Sequence, residues 1–98
     1  MKLIKFYSRT CQPCKTVENP LALKVIDLNL ELINVDVKNM ASNDRILLEL
    51  FSVQSIPTII VLDDNTSKYE KVTGIGPILA FLNVFNKKYF IEYETSEI

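Results

Sequence analysis

A short apolar run that stops at Ser8 and gives way at once to Cys11-Gln12-Pro13-Cys14 constrains this chain more than any other feature. Residues 3–7, Leu-Ile-Lys-Phe-Tyr, predict a first strand. The cysteine motif then opens a helix, with Thr10 as candidate N-cap and Pro13 in the first turn, where a missing N–H costs least. The helix should run to about residue 27, with Val17, Leu21, Val25 and Leu28 near one face. Pro20 falls inside it and predicts a kink, because proline removes a backbone donor and crowds the preceding turn.

The remaining elements follow from periodicity and turn chemistry. Residues 32–37 predict a second strand. Ser42 is a candidate cap for a second helix, with Ile46, Leu47, Leu50 and Phe51 at helical spacing. Thr58-Ile59-Ile60-Val61-Leu62 is the strongest strand, and Asp63-Asp64-Asn65 turns it toward a fourth at 68–73. Gly74-Ile75-Gly76-Pro77 breaks the chain. Pro77 suits the first position of a last helix that turns Ile78, Leu79, Leu82 and Phe85 inward and meets Lys87 and Lys88 at its negative end. The order is β-α-β-α-β-β-α. It predicts an α/β domain with a four-stranded mixed sheet and three helices, the first two strands parallel through a right-handed crossover.

Ninety-eight residues make one domain, 1–98, with 89–98 as a peripheral tail. A net charge of −1 with no evident basic face argues against a nucleic-acid partner. No segment reaches the roughly 18–20 apolar residues of a membrane span. Lys5 interrupts the N-terminal apolar run, which is too short for a signal-peptide core, so a soluble, monomeric, cytoplasmic protein is the expectation.

The chain holds two cysteines and no histidine. In a reducing compartment such a pair is reactive or metal-binding more often than a structural staple. A free thiol with a pKa near 8.5 is only about 3% ionised at pH 7, and a helix N-terminus favours the anion. Cys11, at the tip, is therefore the candidate attacking thiol. Cys14, one turn inside, is the candidate resolving thiol, and Lys15 adds positive potential. Three alternatives stand beside exchange chemistry. A structural disulfide over so short a loop would contribute about 2 kcal/mol. A zinc site would need four ligands that the composition does not supply, so no metal is expected. Two inert core thiols are the third. A second landmark, Ser55-Ile56-Pro57-Thr58, puts a proline at the start of strand three, which marks a strand edge or a cis turn.

Together these landmarks resemble the thioredoxin/glutaredoxin superfamily over roughly residues 2–88. Phe6-Tyr7-Ser8-Arg9-Thr10-Cys11-Gln12-Pro13-Cys14-Lys15 is similar to the glutaredoxin opening and to the thioredoxin C-G-P-C-K motif. Val53-Gln54-Ser55-Ile56-Pro57-Thr58 resembles the family's cis-proline segment, and Gly74 matches the glycine after the last hairpin. The resemblance implies a minimal, glutaredoxin-like thioredoxin fold in which Pro57 is cis and packs beside the cysteines. Ile56 would offer its backbone to an extended substrate, a form of strand addition. Cys11, Pro13, Ile56, Ile75 and Gly76 would form an apolar landing patch.

The chain departs from the family pattern at several positions. It opens at the strand before the cysteines, so the additional strand and helix of a full thioredoxin are not expected here. Thr10 and Gln12 replace the tryptophan and glycine that thioredoxins carry. Lys5 stands where they place a buried aspartate, and Leu32 where they place its lysine partner. Lys5 is expected to snorkel to solvent. The stretch at 74–78 lacks the polar residue with which glutaredoxins hold glutathione, although Arg9 could contact a glutathione carboxylate. The resemblance thus implies a protein-disulfide reductase whose redox-active centre is Cys11–Cys14, with no other cofactor. Its partners would be protein disulfides and a flavoprotein thioredoxin reductase. The alternatives are a glutathione-dependent reductase and a non-catalytic binding subunit.

Overall fold

The computed structural model describes residues 1–39 and 42–86. Its elements are β1 (Lys2–Tyr7), α1 (Gln12–Asp27), β2 (Glu31–Asp36), α2 (Ser42–Leu50), β3 (Thr58–Leu62), β4 (Tyr69–Thr73) and α3 (Ile75–Val84). The expected α/β order is present. The strands form one mixed sheet in the order β2-β1-β3-β4. β1 pairs parallel with β2, Lys2 opposite Glu31 through Tyr7 opposite Asp36. It pairs antiparallel with β3, Phe6 opposite Thr58. The β3–β4 hairpin puts Thr58 opposite Thr73.

Side chains alternate across a strand, so the two central strands feed two cores. Leu3, Ile59 and Val61 pack with Val17 and Leu21 of α1 and with Ile78, Leu82 and Phe85 at α3. Ile4, Phe6 and Ile60 pack with Val35, Phe51 and Val53 on the other face, where Leu47 and Leu48 of α2 join them. β3 is apolar at successive positions because both its faces are covered.

Several local expectations shift. Cys11, and not Thr10, is the N-cap of α1. Pro20 lies inside α1, where the sequence places it, and is exposed. α2 begins at Ser42, so this residue starts the helix and does not precede it. Ile46 and Leu50 are exposed, at 62% and 66%, while Leu47 and Leu48 turn inward. The apolar residues of α2 allow two stripes, and the covering face follows from where the sheet lies. α3 starts at Ile75, which makes Pro77 its third residue. Lys87, Lys88 and the tail at 89–98 lie outside the described residues.

Gly74 caps α3 with φ +96° and ψ 160°, a region essentially restricted to glycine. Gly76 is helical, and a Cβ there would meet open space. Gly74→Ala is therefore expected to cost about 1–3 kcal/mol, whereas Gly76→Ala should be neutral or stabilising by about 0.5 kcal/mol. Urea unfolding of the two variants checks the contrast.

Candidate active site

β1 ends at Tyr7 and the chain turns tightly into α1. The Ser8 carbonyl accepts from the Cys11 amide at 3.3 Å, and the buried Ser8 hydroxyl pairs with the Thr10 hydroxyl at 3.2 Å. Cys11 has extended backbone angles, and its Sγ accepts from the Cys14 amide at 3.1 Å. A sulfur thus takes the place of the usual N-cap oxygen. That is why Thr10, one residue earlier, is not needed for the role. Pro13 sits in the first turn, where no intrahelical donor is lost. Cys11 and Cys14 are joined in a disulfide, with Cα atoms 5.3 Å apart. Cys11 is half-buried and Cys14 is buried at 6% exposure, the asymmetry expected from their places on the helix.

Strand register brings the other landmarks to the same end of the sheet. Phe6, Thr58 and Thr73 lie in one cross-strand row. The Tyr7–Cys11 turn, the Ile56–Pro57 segment and the Gly74–Gly76 stretch all leave the sheet beyond that row. The Ile56–Pro57 bond is cis and Pro57 is buried. The Pro57 carbonyl accepts from the Gly74 amide at 2.9 Å, which ties the proline segment to the start of α3. The Thr58 hydroxyl donates to the Ser55 carbonyl at 2.8 Å, so its 2.8 Å bond with Thr73 has Thr73 as donor. Thr58, part of the proline landmark, and Thr73, which ends β4, thus brace the Ser55–Pro57 segment; Thr73 carries no signal in the sequence beyond its place before Gly74.

The residues of the expected landing patch are not alike. Pro13 and Gly76 are exposed. Ile56 is partly covered on the α2 side, where it shares a hollow of about 160 Å³ with Val37, Leu48 and Val53. Ile75 packs toward the opposite core.

Beside Cys14 lies a hollow of about 200 Å³ lined by Lys5, Tyr7, Ser8, Arg9, Cys14, Lys15 and Glu18. Lys5 is partly covered: its Nζ stands 4.8 Å from the centre of the Tyr7 ring and its side chain is part of this lining. Leu32 packs against the core. Glu18 is the carboxylate of this lining, a position findable from its i, i+4 spacing to Cys14. On the far side of the turn, Lys38 Nζ donates to the Thr10 hydroxyl at 2.8 Å. Asp36 accepts from the Lys38 amide at 3.0 Å, and Arg9 Nε lies 3.8 Å from its carboxylate. Among the described residues no group of three or more Cys, Asp or Glu side chains stands close enough to hold a metal ion. No helix among them is long and apolar enough to cross a membrane.

Among curated proteins, none matches the sequence. Solved structures do match. Thioredoxin from Trypanosoma brucei brucei is 23% identical with a TM-score of 0.63, over 81% of this chain and 66% of that one. The oxidised form of mitochondrial thioredoxin 3 from Saccharomyces cerevisiae is 20% identical with a TM-score of 0.64, over 84% of this chain and 74% of that one. The germline-specific thioredoxin Deadhead from Drosophila melanogaster is 26% identical with a TM-score of 0.66, over 84% of this chain and 76% of that one. This chain therefore spans about two thirds to three quarters of their lengths. The thioredoxin family model matches residues 1–86, and with the mixed sheet, the three helices and the C-x-x-C pair it establishes that the chain belongs to the thioredoxin family.

Proposed function

We propose that this protein is a thiol–disulfide oxidoreductase that reduces protein disulfides by dithiol exchange. The observation that carries the reading is the asymmetric pair: a half-buried Cys11 at the N-cap of α1, bonded to a buried Cys14 whose amide points at the Cys11 sulfur. In the reduced protein the same amide and the helix N-terminus would stabilise a Cys11 thiolate. That thiolate attacks one sulfur of a substrate disulfide. The substrate S–S bond breaks, one substrate thiolate leaves and takes up a proton, and a mixed disulfide with Cys11 forms. Cys14, deprotonated, then attacks the Cys11 sulfur and expels the second substrate thiolate. The substrate gains two electrons and two protons, and the Cys11–Cys14 disulfide forms.

The electrons are carried by the cysteine pair, and a flavoprotein thioredoxin reductase in a cytoplasmic setting would return the pair to the dithiol. A substrate chain would run beside the backbone of Ile56 and Pro57, with Pro13, Ile75 and Gly76 around it. The common exit of these segments from one end of the sheet supports this placement. Thioredoxin-family membership supports protein disulfides as the substrate class.

The test is trapping. Reduced Cys14→Ser protein mixed with a disulfide-containing protein should accumulate a covalent adduct whose mass is the sum of the two, releasable by excess dithiol. Reduced wild-type protein should cleave the disulfides of insulin. If the wild type leaves insulin intact and the variant traps nothing, the reading fails.

A further inference from the structure

The cysteine end of the molecule is positively charged although the chain as a whole is nearly neutral. Lys5, Arg9 and Lys15 line the hollow beside Cys14, and Lys38 reaches the hydroxyl of Thr10 next to Cys11. The carboxylates placed among them are Glu18, in the hollow, and Asp36, within 3.8 Å of Arg9. Four cations thus face two carboxylates, and the N-terminus of α1 adds its own positive end. At the opposite end of the sheet the charges are close to balanced. Glu31 and Asp64 meet Lys2 there at 3.6 Å and 3.7 Å, and Asp64 also meets the amino terminus at 3.4 Å. Asp63 follows β3 with Lys68 across the same turn, and Asp27 closes α1 with Lys24 in its last turn. The excess of positive charge is therefore local to the cysteine end.

Such a field orients an approaching partner before contact and raises its encounter rate. From this local excess we infer that the preferred substrates are proteins whose disulfide is flanked by acidic residues. The carboxylates of such a partner would be drawn to the Lys15 and Lys38 sides of Cys11. This inference rests on the exchange reading above and names its substrate class.

The test is a single-turnover comparison of two disulfide-bridged peptides of equal length, one with Asp and the other with Lys on both sides of each cysteine. Pre-reduced protein supplies the two electrons, so no further reductant is needed. At low ionic strength the Asp peptide should react about tenfold faster. The ratio should shrink toward one in about 0.5 M salt, where screening acts within a few ångströms. In a Lys15→Gln/Lys38→Gln variant it should fall to about two or three at low salt. Equal rates for the two peptides at low salt would overturn the inference and leave the exchange reading standing. A ratio untouched by salt or by the double variant overturns it too. Failure to reduce either peptide instead removes the exchange reading, and this inference with it.

Discussion

Replacing Cys11 by serine is expected to lower disulfide reduction by about three orders of magnitude or more while leaving the fold in place. The hydroxyl is a far weaker nucleophile than a thiolate at neutral pH, and it cannot form the mixed disulfide on which the second step depends. Removing a nucleophile collapses the reaction as a unit and does not merely weaken it. The structure makes this variant unusually clean. Cys11 is the N-cap of α1 and its sulfur accepts from the Cys14 amide. Serine is among the best N-cap residues, so its oxygen would take the same hydrogen bond. The reduced variant and the reduced wild type should therefore unfold at closely similar urea concentrations. Insulin reduction measured beside that unfolding curve separates lost chemistry from lost structure. Retention of more than a small fraction of wild-type turnover would move the nucleophile elsewhere.

The largest effect on stability is expected from Phe6→Ala, at about 3–5 kcal/mol. Phe6 is fully buried on β1, where it packs with Ile4, Val35, Phe51, Val53 and Ile60. Its backbone lies between Val35 of β2 and Thr58 of β3. Truncation removes the ring from a core closed on one side by the sheet and on the other by α2, which leaves little room for collapse. A domain of this size holds about 5–15 kcal/mol in total, so much of the margin would go. Urea denaturation of the reduced proteins gives the difference directly. Phe6→Leu, which keeps most of the volume, should cost about 1–2 kcal/mol. A loss below about 1 kcal/mol for the alanine variant would contradict the packing described. The variant also bears on function, because β1 delivers the Ser8–Cys11 turn and its register with Thr58 fixes where the Pro57 segment stands.

The strand–turn–helix context of the cysteines was legible in the sequence, because each part is a local signal. Alternation and β-branching mark β1 and β3, turn residues mark the hairpin, and a proline-bearing C-x-x-C marks a helix start. The fold class and the roles expected of Cys11 and Cys14 needed little more. Helix faces were less legible. The apolar residues of α2 allow two overlapping stripes, and burial of Leu47 and Leu48 over Ile46 and Leu50 depends on the direction from which the sheet is covered. The start of α3 was displaced for a related reason. Gly74 takes a backbone conformation that lets the helix begin directly after it, while the sequence offered Pro77 as the more familiar first residue.

Lys5 shows the same division at the site. The sequence placed a lysine on the central strand and left its destination to general behaviour, namely a long stem with its charge in water. The structure sets it over Tyr7 and beside Cys14, in a hollow whose other walls come from the turn and from α1. Lys38 reaches Thr10 across 28 positions of sequence, and the Pro57 carbonyl meets the Gly74 amide across the hairpin. By itself, then, the sequence determined the order of elements, the redox pair and the proline that accompanies it, since these are written in residues close together along the chain. Only the tertiary structure decided what surrounds the pair: the charged hollow, the link from Pro57 to α3 and the gathering of cations at the cysteine end. Those depend on sheet register and helix packing, which bring distant residues within hydrogen-bond and Coulomb range only after the chain has folded.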